Sequence, residues 1–418
     1  MGAPRHRARG HANALLQAVG NVMPRQGEMI NVHASMVILA LVVCWGCSNE
    51  PTSPPGSGSA RVLVTSDVWA GGRTVLSLVG TAPKPERSSI VRGSLESAAL
   101  VADNTLLMGV VHQNAQRDLV AVDALTLRER WRTTVSNALV ATAQSGVGLR
   151  AVTSLTASRD GKSVYVAQAV QSGTVGIARL NSLSGVAEAF SGPWLVGGSF
   201  CEVPSFPGRS DGAIAMVASR ENAAGGPLRL ASIYLLDRLS LTPFDSISFS
   251  ELGGARVVLN LLVLKDGASL LIGTDTEFLV FDLLARRVVA SRQRPGLGAV
   301  VLFPNSSRFA ALDQGRFPEL AGSGMVYLFD DQLAAIDSID VSTPLGGSPH
   351  SPLATVMGNG VVDDATGELY VRTGSAPFGS LYPVQPARVI VLSLAGRRVD
   401  RIIPLVGDNF GFAYLLPR

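Results

Sequence analysis

A short apolar strand that ends in a polar residue, turns tightly and returns as another strand recurs seven times along the chain. The copies are VLSLVG (75–80), VAVDALTLRERW (120–131), ARLNSLSGVAEAF (178–190), YLLDRLSLTPFDSI (234–247), LVFDLLARRVVAS (279–291), YLFDDQLAAIDSI (327–339) and IVLSLAGRRVDRI (390–402). The marker position reads Ser77, Asp123, Asn181, Asp237, Asp282, Asp330 and Ser393, and its spacing runs from 45 residues (Asp237 to Asp282) to 63 (Asp330 to Ser393). A repeat of that period forces the chain into an array of like units, each too small to bury its own core. Asp suits the marker because its carboxylate can accept from the backbone of the turn that follows.

A second apolar strand precedes each marker: ARVLVTSD (60–67), TLLMGVVHQ (105–113), KSVYVAQAV (162–170), GAIAMVASR (212–220), ASLLIGTD (268–275), SRFAALDQ (307–314) and GELYVRTG (367–374). LTASRDGKSVYV (155–166) and LLVLKDGASLLI (261–272) add an apolar strand before it, joined through Asp160-Gly161 and Asp266-Gly267, which are hairpin dipeptides. Helical periodicity is nearly absent after Ala60, and Gly, Asn, Asp and Ser clusters separate the runs, so the unit is a four-stranded antiparallel sheet.

The pattern resembles the seven-bladed β-propellers of the YVTN and surface-layer type, related in form to WD40 propellers. The resemblance covers nearly all of residues 60–418 and implies an all-β ring of four-stranded blades. It says almost nothing about function. The N-terminal unit lacks an obvious first strand, whereas the chain ends in GFAYLLPR (411–418), which has the character of a first strand without a partner. Joining the two closes the ring and removes the open edge. VAVDALTLRERW (120–131) also resembles a quinoprotein-type blade motif, which implies that Trp131 docks against the neighbouring blade, although no Trp stands at the other six positions.

Residues 1–46 read as a leader and 47–59 as a flexible tether. The apolar run Val37–Gly46 is too short for a membrane span, which needs roughly twenty residues, and fits the core of an export signal. Gly46-Cys47 resembles the end of a bacterial lipobox, with Cys44 and Trp45 atypical before it. The resemblance implies cleavage before Cys47, lipid on its thiol, and a protein tethered to a bacterial membrane, expected to be the outer one. The alternative is a plain signal peptide without lipid. Met23 or Met29 can serve as the start, and SNEPTSPPGSGS (48–59) has nothing to bury.

The formal charge of +3 comes from this leader. Taking Arg5, Arg7, Arg9, Arg25 and Glu28 from the 35 basic and 32 acidic residues leaves 31 of each. A neutral body lacks the positive footprint of a nucleic-acid binder. Cys201 is the one cysteine inside the repeats, so no disulfide framework is expected there, and it reads as a buried thiol. No metal-ligand spacing, GxSxG elbow or phosphate loop is present, so neither metal nor cofactor is expected.

Two histidines lie in the repeats. His112 falls between the second and third strands of its unit, and His350 falls in the linker entering the last one. In propellers these two connection types share one face. The insertions SRENAAGGPLR (219–229), DQGRFPELAGSG (313–324) and TGSAPFGSLYPVQPAR (373–388) join them, carrying Arg316, Phe317, Glu319, Phe378 and Tyr382. That loop face is the expected binding surface, for a protein or another envelope ligand. The arginine pairs around Arg128–Arg130, Arg286-Arg287 and Arg397-Arg398 occupy the turn between third and fourth strands and are expected at the solvated outer rim. The functional expectation is a non-catalytic binding or scaffolding module at the cell envelope. The alternative is an envelope hydrolase such as a lactonase, working at the channel mouth.

Overall fold

The computed structural model describes residues 62–417, apart from 69–71, 135–150, 220–231, 255–257, 295–298, 314–323, 348–355, 375–385, 408–410 and gaps of one or two residues. The chain is an all-β, seven-bladed propeller. Blade 1 combines Ala413–Leu415, Val62–Val68, Arg73–Val79 and Arg87–Arg92, from the inner strand outwards. Blade 2 follows with Ser94–Val101, Thr105–Val111, Arg117–Asp123 and Glu129–Thr134. Blade 5 (Val258–Val263, Ser269–Thr274, Glu277–Asp282, Arg287–Gln293), blade 6 (Val300–Leu302, Phe309–Leu312, Met325–Phe329, Ala335–Asp340) and blade 7 (Val356–Asp363, Glu368–Gly374, Arg388–Ser393, Arg398–Pro404) repeat the order.

Blades 3 and 4 share a strand. Ala187–Val203 pairs through its first part with Thr174–Asn181 of blade 3 and through its last part with Ala213–Ser219 of blade 4. Register shifts on either side of Gly197 let one strand serve as outer edge of one blade and inner edge of the next. The sequence pattern does not reveal this strand, because Gly197-Gly198 breaks its apolar run.

Among the described residues, seven clusters of buried side chains hold the ring, each drawn from two neighbouring blades. Leu63 and Leu76 of blade 1 pack with Leu106 and Val120 of blade 2. Val62 and Val64, pointing the opposite way, pack with Tyr370 and Val389 of blade 7. Both faces of the inner strands are therefore buried, which is why they read as largely apolar runs without alternation. Cys201 is fully buried within the cluster between blades 4 and 5.

The C-terminal strand closes the ring by antiparallel pairing of Val62, Leu63 and Val64 with Leu415, Tyr414 and Ala413. Thr65 N–H donates to the Phe412 carbonyl at 2.8 Å, and Phe412 N–H donates to Thr65 Oγ1 at 2.8 Å.

The marker turns follow one plan. Asp123 Oδ1 accepts from the N–H of Leu125 and Thr126, Asn181 from Leu183 and Ser184, Asp237 from Leu239 and Ser240, and Asp282 from Leu284 and Ala285. Four residues after these markers the backbone is left-handed, at Leu127 (φ 59°), Gly185 (68°), Leu241 (57°) and Arg286 (50°). A register shift beside each turn takes up the extra residue.

In a four-stranded antiparallel blade the first and third hairpins lie at one end of the sheet, here the turn end. The middle hairpins and the blade-to-blade linkers lie at the opposite, linker end. Second strands begin at the turn end, so the chain enters the propeller there, at Val62.

Candidate functional site

His112 stands just beyond Thr105–Val111, at the linker end of blade 2. Its Nε2 lies 2.8 Å from Asp118 Oδ2, and Arg132 Nη1 donates to the same oxygen at 3.0 Å. Thr134 Oγ1 and Gln116 Nε2 donate to the other oxygen at 3.1 and 3.3 Å. Burial opposes ionisation of Asp118, but the bonds from His112, Arg132, Gln116 and Thr134 hold its carboxyl below the usual carboxylate range. Gly93 leaves room for the imidazole, since a Cβ there would meet Val110 at 2.9 Å and His112 at 3.4 Å. The imidazole is thus engaged inside its own blade.

Other buried polar groups gather at this end of the inner strands. Arg372 is fully buried, with Nη1 donating to the Thr373 carbonyl at 2.6 Å. Asn260 Oδ1 is buried with no hydrogen-bond partner among the described residues. Arg294 lies over the Phe278 ring, 5.0 Å from its centroid, and donates to the Thr274 carbonyl. The candidate residues Arg316, Phe317, Glu319, His350, Phe378 and Tyr382, and the lipidation candidate Cys47, lie outside the described residues.

The turn end holds a cavity of about 140 Å³ at the channel mouth, contributed to by blades 3 to 7. It is lined by buried or half-buried Val301, Leu302, Phe303 and Val361 and by exposed Arg159, Lys265 and Arg308. Lys265 Nζ donates to the Asn305 carbonyl at 2.6 Å. The carboxylates nearby are engaged. Asp266 accepts from Ala268 and Ser269, Asp364 from Asn305 N–H, and Asp160 from Ser158 and Arg238.

Glu202 also lines the cavity and is buried. Arg159 N–H donates to its Oε2 at 2.5 Å, and Arg238 Nη1 stands 3.1 Å from Oε1 without hydrogen-bond alignment. Burial raises its carboxyl above the ordinary range, against the lowering pull of Arg159 N–H and Arg238. The sequence singles out none of the residues of this mouth, because SRDGK and LKDGA read only as hairpins. The basic residue before Asp-Gly in both was the available signal. Among the described residues no group of three or more His, Cys, Asp or Glu side chains is placed to hold a metal ion, and no helix is long and apolar enough to cross a membrane.

The arginines of the outer turns do more than meet solvent. Arg286 binds Asp245 of the preceding blade at 2.6 Å and Glu251 at 2.8 Å, and Arg397 binds Asp337 of its preceding blade at 2.5 Å. Arg130 pairs within its blade with Asp123 at 2.6 Å and holds that carboxyl at about 2.

Fold and mouth together define a seven-bladed propeller with distinct ends. No family model matches the sequence, and no curated protein sequence matches it. Solved structures similar to the chain include BamB from Moraxella catarrhalis, with 13% identity, a TM-score of 0.45 and 86% of this chain and 89% of that one covered. Another is the β-propeller domain of Cps50 (Swd1) from Myceliophteria thermophila, with 12% identity, a TM-score of 0.47 and coverage of 75% and 87%.

Proposed function

We infer that this chain is a non-catalytic binding or scaffolding propeller tethered at the bacterial cell envelope through lipid on Cys47. One observation carries the reading: the chain enters the ring at the turn end, at Val62. A tether from Cys47 therefore pulls the turn end towards the membrane and presents the linker end, with its long insertions, to a protein partner. Buried polar groups such as Asn260 and Arg372 lie under that end.

A photocrosslinking side chain in place of Asn114, exposed beside His112 at the linker end, tests this in intact cells. An adduct with an envelope protein, lost when the reporter is moved to the outer strand at Val289, is expected. Equal adducts from both positions, or none from Asn114, would contradict it.

The hydrolase reading, a lactonase for instance, has one observation in its favour. Glu202, a buried acid with a raised pKa, lines a cavity at the channel mouth. Lactone hydrolysis by the purified chain that is abolished by Glu202→Gln would replace the binding reading.

A further inference from the structure

Leucines stand at the tips of four consecutive outer hairpins, and all are exposed: Leu125 (37%), Leu183 (67%), Leu239 (50%) and Leu284 (65%). Each lies two residues after its marker, at Asp123, Asn181, Asp237 and Asp282, so all four hold one register position in blades 2 to 5. Single exposed apolar side chains are ordinary on protein surfaces. Recurrence at one position in four neighbouring blades is a patterned surface. Folding does not require it, because the turn bonds through the backbone N–H of this residue and not its side chain, and blades 6 and 7 carry Gln332 and Ala395 there.

The outer hairpins all lie at the turn end, so these four exposed side chains form an arc at one end of the ring. Exposed Arg128 and Arg287 flank the arc, and the cavity lined by Arg159, Lys265 and Arg308 opens on the same end. The chain enters there too. Residues 48–61 reach at most about 50 Å when extended, roughly 3.5 Å per residue.

We propose that the turn end is a membrane-docking face. The leucine arc enters the boundary between headgroups and acyl chains, and the cavity cations receive lipid phosphates. The role of the tether rests on the lipid-anchor reading, whereas the arc belongs to the propeller itself. Separate knobs repeated at one register position suit a flat, fluid apolar phase; a protein partner would favour a contiguous patch. The arginine stems can lie along the interface with their guanidinium groups among the phosphates. The marker carboxylates of Asp123, Asp237 and Asp282 and the Asn181 carboxamide oxygen already accept from turn amides, which limits the cost of bringing them close to lipid.

The test uses the full lipid-bearing chain in vesicles of phosphatidylethanolamine and phosphatidylglycerol, with a nitroxide on Leu239→Cys or Leu284→Cys and a control on Asn114→Cys. Cys201 is buried and does not compete for label. Labels at 239 and 284 are expected below the phosphate level, open to oxygen and shielded from aqueous nickel at least fivefold relative to 114. Labels as open to nickel as 114, on protein whose Cys47 lipid is verified by mass spectrometry, would overturn the docking face. If Cys47 carries no lipid, the anchor reading fails separately. The unlipidated chain, with Cys44→Ser and Cys47→Ser so that neither takes label, offered to the same vesicles then decides the face: shielding supports it and aqueous labels overturn it. Shielding by envelope protein extract but not by vesicles also overturns it.

Discussion

Trp131 of blade 2 lies against Gly185 of blade 3, so closely that a Cβ on the glycine would come within 2.8 Å of the indole ring. Gly185 is the left-handed residue of its marker turn, and Trp131 faces it from the outer strand of the blade before. The same pair of positions is filled elsewhere by Asp245 and Arg286, and by Asp337 and Arg397. One seam position thus alternates between aromatic-on-glycine and ion-pair solutions.

Gly185→Ala should be costly for two reasons that add, a left-handed φ of 68° and collision with Trp131. Thermal or urea unfolding is expected to register a loss of about 1–3 kcal/mol. Trp131→Leu in the same chain should recover part of that loss, whereas independent effects would simply add.

The Arg286–Asp245 pair is about 40% and 34% exposed, so solvent screens it despite its 2.6 Å geometry. A double-mutant cycle with Arg286→Ala and Asp245→Ala is expected to give a coupling of about 0.5 kcal/mol, diminishing in high salt. Coupling above about 2 kcal/mol would show that this seam is far less hydrated than its exposure indicates.

Ring closure rests on a three-residue strand, Ala413–Leu415, and on Phe412 and Tyr414 within the core shared with blade 2. Deleting 411–418 should lower stability by more than about 4 kcal/mol or prevent folding, because it bares an inner strand and empties a core. Gly411→Ala is a milder probe. A Cβ there would sit 1.9 Å from the Thr65 carbonyl, so the closing strand must shift. Native Tm in either variant would contradict the closure.

Asp118 supplies a pH-dependent contribution. Its folded pKa is depressed, so its stabilisation is complete above the unfolded carboxylate range near 4 and disappears as pH falls through the folded value. Asp118→Asn should cost about 2 kcal/mol at pH 7 and progressively less below pH 4, as followed by denaturant unfolding at several pH values. A gap that stays constant down to pH 2 would assign the loss to packing instead.

The blades were legible because burial on both strand faces leaves apolar runs, and because Asp123, Asn181, Asp237 and Asp282 must cap the same turn. Ring closure was legible from a missing strand at one terminus and a surplus one at the other. The shared strand Ala187–Val203 was hidden by its glycines, since a bend that keeps backbone pairing reads as a loop. The seams were hidden for another reason: Arg286 and Asp245 are 41 residues apart, and only the stacking of blades brings them together. Arg159, Lys265 and Arg308 stand in separate repeats, and convergence on a channel mouth carries no local signature. Of the binding residues expected from sequence, His112 is the one among the described residues, and its imidazole bonds to Asp118.

Mass spectrometry of the mature N-terminus tests the proposed envelope assignment most directly, because a lipid tether at Cys47 would set which end of the ring faces the membrane. A chain beginning at Cys47 with diacylglycerol on its thiol is the expected result. An unmodified terminus at any other residue would contradict it.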